Sequence, residues 1–173
     1  MLEKICEKNF DEIFAIMKAS FPQDEMRKEE EQRALFGESE YAVFVVRENG
    51  AAIGFIAVWD FPEMLYIEHF AVNPALRGGG LGTKMLGELI SACKKPICLE
   101  AEPPESDMAK RRIGFYERNG FFLNDYPYIQ PPLSAGQSSV PLRIMTYGKN
   151  IPRDEYEKIK HLLYTKVYKY MLV

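Results

Sequence analysis

Between Tyr41 and Lys84 the hydrophobic period changes from that of a strand to that of a helix, and the change falls on a run of glycines. Tyr41 to Arg47, Ala51 to Trp59 and Met64 to Val72 are β-prone, and Glu48-Asn49-Gly50 supplies the Asn-Gly that a tight type I′ turn prefers. These three runs are expected to form an antiparallel meander. After Pro74, Leu81, Met85, Leu86, Leu89, Ile90 and Cys93 mark one face of a helix that Lys94-Lys95-Pro96 terminates. Ile97 to Ala101 is short and apolar enough for a buried strand, and a strand, helix, strand series implies a parallel crossover.

The rest of the chain surrounds this centre with further elements. Phe10, Ile13, Phe14, Ile16 and Met17 recur at helical spacing until Pro22, and a charge-rich helix with a solvated face is expected from Asp24 to Phe36. Ser106 can cap a helix running to Asn119, with Gly120 at its stop and a strand from Phe121 to Asn124. Pro127 to Pro141 reads as a long connection, Val140 to Tyr147 as a last strand, and Pro152 to Tyr170 as a closing helix whose apolar end could pack in cis or cover a second copy in a homodimer. At 173 residues and 47% hydrophobic content the expectation is one globular domain over 1–173, a mixed α/β fold with helices on both faces of its sheet.

Charge and cysteines narrow the function classes. The formal charge of −3 lacks the basic excess of a duplex binder, so nucleic acid is not an expected partner. Cys6, Cys93 and Cys98 show neither CxxC spacing nor a nearby His pair, so no metal site and no disulfide framework is expected. With no signal-peptide core at Met1 to Asn9 and no apolar run of ~18 residues, the chain reads as cytoplasmic and apart from the membrane.

The junction itself is Val72-Asn73-Pro74-Ala75-Leu76-Arg77-Gly78-Gly79-Gly80-Leu81-Gly82-Thr83-Lys84. Consecutive glycines let backbone N–H groups converge, and the helix N-terminus adds positive potential, so an anion such as pyrophosphate fits there. A P-loop would need Gly-Lys followed by Ser or Thr, and a dinucleotide fingerprint would need glycine or alanine at Thr83 or Met85; neither is present. The pattern that does fit is Arg77, Gly80 and Gly82 as Arg-x-x-Gly-x-Gly after Phe70-Ala71-Val72, followed by Arg111 to Phe121 with Tyr116 and Gly120-Phe121. On these two motifs the chain is identified as a member of the GNAT superfamily of N-acetyltransferases. Where many members carry Asn seven residues and Ala four residues before the tyrosine this chain has Ala109 and Arg112, so the family's Asn contact does not carry over by motif.

The resemblance implies a mostly antiparallel sheet with a splayed parallel strand pair around Ile67 and Leu99. It implies acetyl-CoA as co-substrate, with Phe70, Ala71 and Val72 offering main chain to the acetyl carbonyl and Arg77, Gly78, Gly79, Gly80, Leu81, Gly82 and Thr83 holding the pyrophosphate. It implies transfer of the acetyl group to a primary amine of a small molecule or peptide. A non-catalytic acyl-CoA-binding module and a protein or aminoacyl-tRNA acetylase are the alternatives. Acyl transfer to an amine needs a neutral amine, a donor for the oxyanion and a proton for the thiolate. Tyr116 matches the family's general acid. Glu68 lies in an otherwise apolar strand, where burial would raise its pKa and suit it to be a base, with His69 on the opposite face. Glu100 and Glu102 share a face of the next strand and would draw a cationic amine. Cys93 and Cys98 look inert by position, which favours direct attack in a ternary complex over an acetyl-cysteine intermediate.

Overall fold

The computed structural model describes residues 1–170, and the chain divides into two compact units, Met1–Ile97 and Cys98–Val173. In the first, β1 (Glu3–Lys4), β2 (Tyr41–Glu48), β3 (Ala51–Asp60) and β4 (Leu65–Val72) pair in sequence order, all antiparallel. The β2–β3 turn has Asn49 at φ 51° and Gly50 at φ 83°, the two positive angles that a type I′ hairpin requires. Every residue from Gly54 to Trp59 of β3 is buried, so both faces of this strand are covered.

The covering helices are α1 (Phe10–Ser20), which turns Phe10, Ile13, Phe14, Ile16 and Met17 inward, and α3 (Leu81–Ala92), which buries Met85, Leu86 and Leu89. At Gly54 the approach of α3 leaves no room for a side chain: a Cβ there would stand 2.9 Å from the Met85 sulfur and 3.1 Å from the Ala71 carbonyl oxygen. The N–H of Leu65 donates to the Pro96 carbonyl at 2.9 Å, and in the strand order β4 is followed by β5 (Ile97–Ala101), the parallel pair of an otherwise antiparallel arrangement.

The helix expected from Asp24 to Phe36 does not form as one element. A short turn at Gln23–Glu25 gives way to extended backbone at Met26 and Lys28 before α2 (Glu29–Ala34). Met26 and Arg27 are buried, and that tertiary burial overrides the helical tendency of the charged run.

In the second unit, α4 (Asp107–Arg118) follows β5, and β8 (Val140–Tyr147) is central. It pairs antiparallel with β5 (Leu99 opposite Met145), with β6 (Phe121–Leu123; Phe122 opposite Thr146) and, further along, with β7 (Tyr128–Gln130; Tyr128 opposite Leu142). β7 lies inside the segment read as a long connection; three residues beside Pro131-Pro132 are too few to show a period. The closing helix is also shorter than expected: α5 (Arg153–Leu162) passes into one wider turn at Leu163–Val167. No helix among the described residues is long and apolar enough to cross a membrane.

Candidate active site

The register of β3 with β4 is regular except at one residue. Val58 faces Ile67 and Ala57 faces His69, so Glu68 has no single partner and forms a β-bulge. The strict alternation expected of this strand therefore breaks, and His69 comes to the same side as Glu68, its Nδ1 3.4 Å from Glu68 Oε2. Both side chains are 3% exposed. Glu68 Oε1 is ion-paired with Arg27 Nη1 at 2.9 Å, and His69 Nε2 donates to the Glu25 carbonyl at 2.7 Å.

This pairing reverses the direction expected for Glu68. Burial on its own raises the carboxyl pKa, but the Arg27 guanidinium and the His69 ring outweigh it and hold the group at about 2. Nothing in the sequence singles out Arg27, because an arginine in a charge-rich run carries no mark of burial.

β4 leads directly into the glycine loop. Asn73 Oδ1 accepts from the Ala75 N–H at 3.1 Å and caps the short turn Pro74–Leu76. Arg77 then folds back, its Nε donating to the Val72 carbonyl at 3.1 Å and its Nη2 to Ser20 Oγ at 3.3 Å. Gly78 and Gly80 have φ of 93° and 77°. A Cβ at either would meet nothing within 4 Å, so these positions need glycine for the backbone angle, not for space. From Arg77 to Gly80 the loop is exposed, and the first intrahelical donor of α3 is the Lys84 N–H, to Gly80 O at 3.1 Å. The N–H groups of Leu81, Gly82 and Thr83 precede the first intrahelical bond, and unpaired donors at a helix N-terminus have the chemistry to bind an anion.

In the second unit, the Ser106 hydroxyl accepts from the Ala109 N–H at 3.0 Å and starts α4, which carries Tyr116 on its buried face. The ring lies edge-on to Phe115 and Phe121, with centroids at 5.3 and 5.8 Å. Burial pushes the phenol up to about 12, with nearby Arg112 pulling the other way, so the group is fully protonated at neutral pH. Its hydroxyl makes no hydrogen bond among the described residues, which leaves it free to donate. Arg112 itself reaches Glu102, at 3.6 Å.

Glu100 is clasped more closely than the sequence could tell. Tyr168 donates to both its oxygens at 2.7 Å and Tyr128 donates to Oε1. Burial, with Glu100 adding to it, pushes the Cys98 thiol well above its usual value, so a thiolate nucleophile does not form there. Among the described residues, no group of three or more His, Cys, Asp or Glu is placed to hold a metal ion.

A model of the acetyltransferase (GNAT) family matches residues 10–121. YjbC of Bacillus subtilis (strain 168) is 28% identical over 103 residues, 58% of this chain and 52% of the relative, so the match spans about half the length of that protein. Among solved structures, a GNAT-family protein from Bacteroides thetaiotaomicron is 38% identical over 99% of both chains, with a TM-score of 0.88. The structure of yncA from Salmonella typhimurium, determined with its cofactor acetyl-CoA, is 20% identical over 88% of this chain and 95% of that one, with a TM-score of 0.62.

Proposed function

Because the chain belongs to the acetyltransferase (GNAT) family and has its mixed α/β fold, we propose that it transfers the acetyl group of acetyl-CoA to a primary amine of a small molecule or peptide, by direct attack in a ternary complex. The observation that carries this reading is the passage from β4 through the left-handed glycines Gly78 and Gly80 into α3, an exposed set of main-chain donors of the kind that binds a pyrophosphate. Gly78 to Thr83 hold the phosphates, while Arg77 shapes the loop from within through Val72 and Ser20. The main chain from Phe70 to Val72 receives the acetyl carbonyl and stabilises its charge as the amine adds.

Tyr116 donates its proton to the departing thiolate. A thiol of pKa about 8.5 needs only partial help, which a phenol can give. Glu68 serves a different role from the base expected of it, because a carboxylate held at about 2 and paired with Arg27 is a poor acceptor for a proton from an ammonium group. The amine enters as its free base, having lost its ammonium proton to water; as the new C–N bond forms and the C–S bond breaks, the added nitrogen gives up one further proton to water, and Tyr116 regains from water the proton it gave the thiolate.

The test is initial-rate thiol release from acetyl-CoA across polyamines, amino acids, aminoglycosides and peptide N-termini. Amine-dependent release with intersecting double-reciprocal lines is expected, with kcat/KM rising with pH along the acceptor's own pKa. Acetyl-CoA binding with no release for any amine would make the protein an acyl-CoA-binding module instead.

A further inference from the structure

Arg27 has no part in the chemistry above, yet the chain interrupts a helix to deliver it to the interior. It sits on the extended stretch between the turn Gln23–Glu25 and α2, with its side chain only 6% exposed. From the turn and this stretch the chain grips β4 at adjacent residues: Arg27 holds the Glu68 carboxylate at 2.9 Å, and the Glu25 carbonyl accepts from His69 Nε2 at 2.7 Å. In an unbroken strand neighbouring side chains point to opposite faces, so both grips are available on one side only because Glu68 is bulged.

The bulge also decides what faces outward. The Glu68 side chain is 3% exposed while the residue as a whole is not buried, so the surface it offers is main chain. That main chain runs without interruption into Phe70, Ala71 and Val72 and the glycine loop.

We propose that Arg27 is a positioning residue for acetyl transfer: through its ion pair with Glu68 it fixes the β4 bulge and so aims the main chain from Glu68 to Val72 at the acetyl carbonyl. The inference rests on the acetyl-transfer reading above. Donors that stabilise a developing charge act only while they are held in place, and a displacement of about 1 Å is enough to cost on the order of 10² in rate. Arg27 therefore acts on kcat and leaves the binding of the phosphates, which the loop performs, untouched.

The test compares wild type with Arg27→Gln, Arg27→Lys and the double variant Arg27→Met with Glu68→Met, in which both buried charges are replaced by apolar chains of similar volume. The readouts are initial rates with the best amine of the panel and the carbonyl resonance of bound [1-13C]acetyl-CoA. Arg27→Gln should lower kcat about 10- to 100-fold with the acetyl-CoA KM within about threefold of wild type, and should move the carbonyl resonance toward that of free acetyl-CoA. Arg27→Lys should recover part of both. The double variant should melt like wild type and remain slow. Wild-type kcat together with an unmoved resonance in Arg27→Gln, or in the double variant if Arg27→Gln does not fold, would overturn the proposal. A wild type that releases no thiol with any amine sinks the acetyl-transfer reading instead, and the carbonyl resonance, which needs no acceptor, still decides the role of Arg27.

Discussion

Tyr116 and Glu68 show how burial can leave one group ready to give a proton and another unable to take one. Tyr116 is buried among Phe115 and Phe121 with its phenol pushed up to about 12, so its proton is present at any working pH. Tyr116→Phe keeps the ring packing and removes the donor; kcat should fall by on the order of 10² to 10³, with acetyl-CoA affinity and melting temperature nearly unchanged. An unchanged kcat under conditions where chemistry limits the rate would reduce Tyr116 to a packing residue. For Glu68 the sign runs through stability. Its pKa is lowered from 4.5 to about 2 in the folded protein, so the ion pair stabilises the fold above the unfolded value and that stabilisation is lost as pH falls through this window. Denaturant midpoints measured from about pH 5 down to about 2 should fall more steeply for wild type than for Glu68→Gln; parallel curves would contradict the pairing. Tyr116 stands out in the sequence as a candidate because it sits in a motif of neighbouring residues. Arg27 could not, since its partner is remote in sequence and the bulge that presents that partner is a matter of register.

At the scale of elements, the regular parts of the sheet were visible in advance because each strand carries its own signal. β2 and β3 have the Asn49-Gly50 turn between them, and β5 and β8 are compact apolar runs between breakers. The break at Met26–Lys28 follows from burial of Met26 and Arg27 against residues remote in sequence, and β7 is three residues long, too short to carry a period of its own. The βα junction and the start of α4 give direct tests of local causes. At Gly80, φ of 77° is left-handed, so Gly80→Ala should lower stability by about 1–2 kcal/mol even though the site has room, and should weaken acetyl-CoA binding by disturbing the cradle. Ser106→Ala removes the acceptor for the Ala109 N–H and should cost about 1 kcal/mol, read as a lower melting temperature. If Gly80→Ala bound acetyl-CoA as tightly as wild type, the loop's left-handed geometry would not be what binds the phosphates.

For the whole molecule, binding and folding are linked. A ligand that binds only the folded chain stabilises it by about 2.7 kcal/mol at a hundred times its Kd. With about 2–4 °C per kcal/mol for a chain of this size, saturating acetyl-CoA should raise the melting temperature by roughly 5–10 °C. Gly80→Ala should show a smaller rise at the same concentration. Whether the β4 to α3 junction holds acetyl-CoA is answered by an experimental structure of the protein with acetyl-CoA bound. The pyrophosphate should lie against the main-chain N–H groups of Gly78 to Thr83 and the acetyl carbonyl against the main chain of β4 beyond the Glu68 bulge. Acetyl-CoA bound elsewhere, with this loop empty, would contradict this placement.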